Sequence, residues 1–252
     1  MLKVGLCSVT FRQLSSEEVI HVTKQAGLQG IEWGGDIHVP PGDIDYASEV
    51  AKRTEQAGLE VTSYGSYYRM GHENDGDSFH EVLKTAAALK APFIRVWAGK
   101  YGSDEADADY RRQVVKDARR IADMAENENT SIHLEYHGGT LTDTEVSTER
   151  LLKDINHSNV YTYWQPAVGI SVEERLSSID RLKPWLSYVH VFHWRKTDRL
   201  PFSEGMSDWV KYVNRLKDEE VERYLLMEFV KDDDVDQFYK DAEVLKSLIF
   251  ET

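Results

Sequence analysis

The feature that most constrains this chain is a regular alternation of short β-type runs with longer amphipathic segments, repeating about every 30 residues. We predict strands at residues 3–7, 30–33, 60–64, 93–97, 131–135, 160–164, 188–192 and 224–229. We predict helices at residues 16–26, 43–57, 77–90, 107–127, 145–155, 172–182, 207–219 and 234–248. Such an alternation is typical of βα units that build a parallel sheet, because each helix returns the chain to the start of the next strand.

Eight such units in 252 residues favour an α/β fold, a closed (β/α)8 TIM barrel, formed by a single domain that spans residues 1–252. An open, doubly wound sheet is the alternative. That fold would require a glycine-rich phosphate-binding turn after the first strand, and residues 7–11 contain no glycine. The barrel is therefore the better prediction.

Composition and charge limit the classes of partner. The formal net charge of -14 argues against binding to nucleic acid or to anionic lipid, because both attract positive surfaces. The chain has a single cysteine, Cys7, and therefore no internal disulfide. The apolar run at residues 1–6 is too short for a signal peptide, and no stretch reaches the roughly 18 apolar residues of a membrane span. We expect a cytoplasmic protein that acts on a small molecule, and a homo-oligomer is compatible with the sequence.

Metal-competent side chains occur at the ends of neighbouring predicted strands. Glu135, His190 and Glu228 each lie in an otherwise apolar run, where an unpaired charge would be costly. Gln165 ends the strand between them. Two carboxylates, an imidazole and an amide oxygen suit Mn²⁺, Mg²⁺, Zn²⁺, Co²⁺ or Fe²⁺, and we predict these four residues as metal ligands. The alternative is a core histidine and two salt-bridged glutamates.

The motifs around these positions resemble those of the xylose isomerase-like TIM-barrel superfamily. This sugar phosphate isomerase/epimerase group also includes ketose 3-epimerases, inosose dehydratases and endonuclease-IV-type enzymes. The resemblance covers essentially the whole chain and rests on residues 30–38, 94–99, 134–143, 189–191 and 227–228. It implies a metal held by Glu135, His190 and Glu228, with Gln165 in place of the family's aspartate and Val168 in place of a histidine that often contacts substrate. Because an amide replaces a carboxylate, we expect a lower affinity for a divalent ion.

The resemblance also implies a reaction. Members of this family transfer a proton next to a carbonyl through an enediolate, and Glu135 and Glu228 are the expected acid/base pair of a metal-dependent sugar or sugar phosphate isomerase or epimerase. A dehydratase of a keto-sugar or keto-inositol would share the first step. A non-catalytic sugar-binding barrel with weakened metal affinity is a third hypothesis. A nuclease is disfavoured, since it would need several metal ions and a basic track for DNA.

Further residues at strand ends are candidates for binding the sugar. We predict this role for His38, Trp33, Trp97, His137 and Arg195. His137 lies two residues beyond Glu135, so strand alternation predicts that both face the same side. Arg195 belongs to the basic run at residues 193–199, which suits an anionic substrate group. The alternatives are core or surface positions, and Tyr64 and Trp164 are weaker candidates for the same apolar wall. Arg95, inside a strand, requires a partner such as a site carboxylate.

Overall fold

The computed structural model describes residues 1–72, 78–218 and 221–250, and it confirms the predicted (β/α)8 barrel. The barrel strands are β1 (Leu2–Cys7), β2 (Gly30–Gly34), β3 (Glu60–Arg69), β4 (Phe93–Trp97), β5 (Ser131–Leu134), β6 (Val160–Trp164), β7 (Leu186–Val191) and β10 (Arg223–Met227). Two short strands, β8 (Trp194–Arg195) and β9 (Asp198–Arg199), form a separate antiparallel hairpin. The helices are α1 (Ser16–Gln25), α2 (Ile44–Gln56), α3 (Phe79–Ala88), α4 (Ala108–Asn127), α5 (Glu145–Ile155), α6 (Val172–Leu182), α7 (Met206–Leu216) and α8 (Val235–Phe250).

The barrel closes in the order β1-β10-β7-β6-β5-β4-β3-β2, and β1 pairs in parallel with both β10 and β2. The predicted elements are found with small shifts at their ends. Residues 77 and 219, at the ends of two predicted helices, lie outside the described residues. The largest difference is β3, which continues to Arg69 because its pairing with β4 resumes after a register shift. The β8–β9 hairpin was not predicted.

Local signals explain where the helices begin and end. Ser15 and Ser171 each form a capping box with the glutamate three residues later, which satisfies backbone N–H groups at the starts of α1 and α6. Gly27 and Gly58 follow α1 and α2 with φ of +69° and +80°. Glycine adopts this left-handed conformation at little cost, so the chain can reverse sharply into the next strand.

The two faces of each strand have different surroundings. On β4, Ile94 and Val96 are fully buried in the main apolar core, while Arg95 between them points to the opposite face. Arg95 contacts Glu32 of β2, which is not adjacent to β4 in the sheet, so these side chains meet inside the barrel. Strand alternation therefore divides the apolar core under the helices from a polar barrel interior.

An aromatic cluster fills the amino-terminal half of the interior. It contains Tyr163, Tyr188, Tyr224 and Leu226, with Phe93 packed against them. The rings of Phe93 and Tyr188 lie 5.0 Å apart although β4 and β7 are not neighbours. Phe93, Tyr188 and Leu226 lie two residues before Arg95, His190 and Glu228, so on these strands the cluster lies on the amino-terminal side of the charged residues. Within residues 1–72, 78–218 and 221–250, no helix has the length and apolar character needed to cross a membrane.

Asp241 connects α8 to the short turn that precedes α7. Its side chain is 3% exposed and accepts hydrogen bonds from the Phe202 backbone N–H (2.9 Å) and from Gln237 Nε2 (2.8 Å). Burial raises the pKa of Asp241, and these two hydrogen bonds offset only part of that shift. The ionised carboxylate is therefore less favourable in the folded state than in the unfolded state.

We expect Asp241→Asn to increase the free energy of unfolding at pH 7 by about 1 kcal/mol, because it keeps the acceptor oxygen and removes a buried charge. Because the pKa of Asp241 is higher in the folded than in the unfolded state, its protonated carboxyl group favours the folded state at low pH. This contribution is lost as the pH rises through the folded-state pKa. The advantage of the variant should therefore shrink as the pH is lowered towards 4. Urea denaturation at both pH values tests this, with Asp104→Asn at an exposed position as the control. An equal effect at both pH values would contradict it.

Candidate active site

Glu32 of β2 lies at the centre of the charged cluster inside the barrel. Its carboxylate is fully buried and accepts hydrogen bonds from Arg95 Nε (2.9 Å), Ser63 Oγ (2.8 Å) and Cys7 Sγ (3.2 Å). His190 Nε2 lies 3.3 Å from Glu32 Oε1. Burial opposes ionisation, but Arg95 and His190 hold the pKa of Glu32 well below its usual range. These contacts favour the charged form of Glu32, which holds its neighbours in position.

Arg95 joins two carboxylates. Its Nε donates to Glu32 and its Nη1 donates to Glu135 Oε2, while its side chain is only 2% exposed. Burial alone would lower the pKa of Arg95, but Glu135 and Glu32 raise it well above the ordinary value. The partner that Arg95 requires is therefore a pair of site carboxylates, and the three buried groups satisfy one another.

The four predicted metal ligands come together beside Glu32 and Arg95. Glu135, His190 and Glu228 each offer a ligand atom, and these atoms lie within 4.8 Å of one another. His190 Nδ1 lies 3.1 Å from Gln165 Oε1 and 3.4 Å from Glu228 Oε2. The imidazole nitrogen thus faces two oxygen atoms, an arrangement that a proton or a metal ion can bridge.

The donor set fits a divalent ion on two observations. A metal-binding histidine usually donates its other ring N–H to a carboxylate, and His190 Nε2 faces Glu32 in this way. The charges also balance. The carboxylates of Glu32, Glu135 and Glu228 and the guanidinium of Arg95 leave two net negative charges when His190 is neutral, and a divalent ion would neutralise them.

The same proximity shifts the proton affinities of His190 and Glu228. Burial lowers the pKa of His190, but the negative charges of Glu228 and Glu32 outweigh it and the pKa is raised. Burial also raises the pKa of Glu228; His190 opposes this shift and the charge of Glu135 adds to it. Glu228 and Glu32 therefore differ in basicity although they lie in the same cluster.

A cavity of about 490 Å³ opens above the cluster at the carboxyl-terminal ends of the strands. Glu135, Gln165, Glu228 and Arg95 form part of its floor. Its apolar walls are formed by Val9, Trp97, Phe192, Trp194 and Phe229. The volume is in the range of small-molecule sites, and the mixture of apolar walls with a few converging polar groups is typical of them.

Two of the predicted sugar-binding residues line this cavity. Trp97 and His137 are both in its wall, with their rings 4.5 Å apart. Tyr67 also stacks with Trp97, at a centroid distance of 6.2 Å. These rings provide an apolar surface beside the carboxylates.

The other three predicted binding residues, Trp33, His38 and Arg195, do not line this cavity. Trp33 follows Glu32 on β2, so strand alternation turns it outwards into the core, where it is fully buried. His38 is 4% exposed, and its Nε2 lies 3.1 Å from the Leu14 carbonyl oxygen. Arg195 lies in the β8–β9 hairpin with 73% of its side chain exposed, 4.0 Å from Glu204.

The weaker aromatic candidates also face the helices. The Tyr64 hydroxyl donates to the Val39 carbonyl oxygen at 2.8 Å, and Trp164 Nε1 donates to Ser178 Oγ at 2.8 Å. Both rings are fully buried in the main apolar core. Each ring is next in sequence to an inward-facing residue. Because successive residues of a strand point to opposite faces, both rings point outwards to the helices.

Sequence reasoning missed part of the site. Glu32 carries the same signal that identified the other glutamates, a single charge in an apolar strand. Arg12 and Tyr67 also line the cavity and are joined by a hydrogen bond of 2.8 Å from Arg12 Nη2 to the Tyr67 hydroxyl. Tyr67 lies in the part of β3 beyond its predicted end at residue 64, and Arg12 lies between β1 and α1, so no predicted strand contained either residue.

We expect Cys7 to be unreactive in the folded protein. Its thiol is fully buried, and burial raises its pKa well above the ordinary value, with the charge of Glu32 adding to the shift. The reactive thiolate is therefore scarce and inaccessible. Labelling with an aromatic disulfide reagent at pH 8 should proceed only in denaturant. Rapid modification of the native protein would contradict this packing.

The chain is similar to known proteins over most of its length. A family model described as "Xylose isomerase-like TIM barrel" matches residues 20–248. The 3-dehydroshikimate dehydratase of Bacillus anthracis is 24% identical over 250 residues, which cover 86% of this chain and 88% of that protein.

Two solved structures extend the comparison. One is a probable 3-DHS dehydratase involved in petrobactin synthesis from Bacillus anthracis, with a TM-score of 0.80, 21% identity and coverage of 97% of this chain and 98% of that chain. The other is the D-psicose 3-epimerase from Clostridium cellulolyticum H10 with D-tagatose, with a TM-score of 0.74, 14% identity and coverage of 98% of both chains. At these identities the likeness concerns the fold, which is shared by a dehydratase and an epimerase.

Proposed function

This chain belongs to the xylose isomerase-like TIM barrel family, and on that basis we propose that it is a metal-dependent enzyme that transfers a proton next to a carbonyl of a sugar-like substrate. The observation that carries this proposal is the pair of cavity-lining glutamates, Glu135 and Glu228, grouped with His190. Isomerisation or epimerisation of a sugar or sugar phosphate is the leading reaction, because two carboxylates can remove a proton and return one.

Glu135, Gln165, His190 and Glu228 would hold the divalent ion, which could be Mn²⁺, Mg²⁺, Zn²⁺ or Co²⁺ with this donor set. When bound, the ion would supply Lewis-acid polarisation of the substrate carbonyl. Gln165 contributes an uncharged oxygen, so the negative charge of this site is carried by the glutamates. The internal pair of Glu32 and Arg95 sets the positions of His190 and Glu135 from behind.

The chain's own residues would perform the proton transfer. Glu228 and Glu135 reach the cavity from β10 and β5, so a bound substrate can lie between them. Arg95 fixes the direction of the Glu135 carboxylate through its Nη1. Trp97 and His137 would contact the C–H face of the sugar, and the apolar walls would reduce the access of water.

Dehydration is the second candidate, favoured by the similarity to 3-dehydroshikimate dehydratase over 86% of this chain. It begins with the same proton abstraction and then expels a hydroxide from the neighbouring carbon. The two reactions therefore differ in the fate of the deprotonated substrate, and the same glutamate pair serves both.

Solvent deuterium exchange tests both candidates at once. The Mn²⁺-loaded protein is incubated in D₂O with D-psicose, D-fructose, D-tagatose and 3-dehydroshikimate, and mass spectrometry and NMR follow deuterium at the carbon next to the carbonyl. Retained substrate mass plus one deuterium indicates epimerisation or isomerisation, and loss of water indicates dehydration. The absence of both from a fully metal-loaded protein, together with measurable sugar binding, would support a non-catalytic sugar-binding barrel instead.

Metal binding is a separate prediction. We expect elemental analysis after Mn²⁺ loading and washing to find about one ion per chain in the wild type and a loss in His190→Ala, because His190 supplies the only nitrogen of the predicted donor set. His21→Ala is a matched control, since His21 is an exposed residue of α1 on the outer surface. No retained ion in the wild type, or an unchanged content in His190→Ala, would contradict the ligand set.

A further inference from the structure

A cationic groove lies on the outer wall of the barrel, between α4 and α5. Its charged lining consists of Arg111, Arg112, Lys116, Arg119, Arg120 and Arg150, with Asp123 and Asp154 as its acidic residues. Six cationic side chains thus meet two carboxylates in a chain whose formal net charge is -14. The volume of the groove is about 700 Å³. It is separate from the cavity at the strand ends, and the two share no lining residue.

The cations follow the period of the helix. Arg111, Val115 and Arg119 are spaced by four residues, as are Arg112, Lys116 and Arg120, so all of them lie on one face of α4. Like charges at this spacing destabilise a helix unless they have partners. Arg112 and Arg120 have such partners on the same helix, Asp109 and Asp117. Over eight residues the stripe of cations extends about 12 Å, enough to contact more than one anionic group.

Some of these cations are already engaged within the protein. Arg112 pairs with Asp109, and Arg119 donates to the backbone carbonyl oxygens of Ile155 (2.8 Å) and Asp154 (2.7 Å). Two other side chains, Lys116 and Arg150, remain available to bind a ligand. Lys116 is exposed and forms no ion pair within the described part of the chain, and the contact of Arg150 with Asp154 is long, at 3.7 Å.

Arg111 provides the independent observation. It is 8% exposed, its Nη2 donates to Ser147 Oγ at 2.8 Å, and its buried Nη1 has no hydrogen-bond partner among the described residues. Burial lowers the pKa of Arg111 and the charge of Arg150 adds to this shift, while Asp154 and Asp143 oppose it. Arg111 and Arg150 both line the groove, and a buried guanidinium with an unused donor is an unfavourable arrangement that an anion in the groove would relieve.

We propose that this groove binds a small, multiply charged phosphate compound, with Arg111, Lys116 and Arg150 as its principal contacts. Guanidinium groups present donors in a planar fork that matches phosphate oxygens, and two of them reach the groove from different helices. A nucleic acid is a poorer occupant, because the -14 charge of the chain repels an extended polyanion beyond the 12 Å stripe. A compact anion meets only the local positive potential.

Titration with inorganic pyrophosphate, and with orthophosphate for comparison, tests the site. Isothermal calorimetry is performed on protein dialysed free of divalent ions, at constant ionic strength. We expect saturable binding of one pyrophosphate per chain, tighter than that of orthophosphate. The double variant Lys116→Gln/Arg150→Gln should raise the Kd by at least about tenfold, since it removes two charge-assisted hydrogen bonds. Both side chains are exposed, so the fold should be retained.

The control variant Lys52→Gln/Arg53→Gln removes the same two residue types from α2 and should leave the Kd unchanged. Equal weakening by both double variants would overturn the proposal, because it would indicate a general charge effect. So would the absence of saturable binding in the wild type, or a loss of binding in Arg12→Gln, which would place the anion in the other cavity. Two further results would overturn the proposal in favour of another occupant of the groove. One is displacement of pyrophosphate by a single-stranded oligonucleotide that binds with higher affinity. The other is a dimer of the protein that dissociates in Lys116→Gln/Arg150→Gln and not in the control variant.

Discussion

Replacing Glu228 with glutamine is expected to lower kcat/KM for the active substrate by about 10²- to 10⁴-fold, the contribution of a general acid or base. Glutamine has nearly the same shape but cannot accept and return a proton. Glu228 lines the cavity and lies 3.4 Å from His190 Nδ1, so its carboxylate is within the predicted ligand cluster and open to a substrate. Glu135→Gln should cause a loss of similar size.

The measurement is the rate of deuterium incorporation from D₂O under saturating Mn²⁺, with the metal content determined on the same samples. Glu173→Gln on the exposed start of α6 is the matched control and should behave as the wild type. If Glu228→Gln loses deuterium exchange but retains the metal, Glu228 acts in proton transfer. If it loses both exchange and the metal, Glu228 acts chiefly as a metal ligand. Wild-type exchange in both Glu228→Gln and Glu135→Gln would end the proposed mechanism.

The second large effect concerns stability. Arg95→Met is expected to decrease the free energy of unfolding by about 3–5 kcal/mol, because it leaves buried carboxylates without their counter-ion. Glu32 is fully buried and Glu135 is 4% exposed, so little solvent reaches either carboxylate. Methionine fills much of the volume of the arginine stem, and the loss should therefore report the missing charge more than a cavity.

Urea denaturation of metal-free protein provides the comparison. Arg181→Met is the control, because Arg181 forms a surface ion pair with Glu149 whose loss should cost at most about 1 kcal/mol. Adding Glu32→Gln to Arg95→Met should recover part of the lost stability, since it removes one of the uncompensated charges. If Arg95→Met unfolds at the same urea concentration as the wild type, the buried cluster does not depend on this cation.

The sequence contained a signal for the site that the prediction of sugar-binding residues did not use. Glu135, His190 and Glu228 were identified as single polar groups in apolar strands, and the structure brings them together with Gln165. Glu32 carried the same signal. Had it been assigned to the barrel interior, alternation would have excluded its neighbour Trp33 from the cavity. The position of Arg195 had no comparable signal, because the β8–β9 hairpin that carries it is too short for a recognisable pattern.

The sequence by itself determined the class of fold, because hydrophobic periodicity and helix caps are local properties of the chain. It also determined which strand ends carry polar groups. Only the tertiary structure decided which of these groups meet. Arg95 on β4 reaches Glu32 on β2, and Glu32 reaches His190 on β7, although no two of these strands are adjacent in the sheet. Those contacts exist because the sheet closes, so that distances across the interior depend on the register and curvature of all eight strands together.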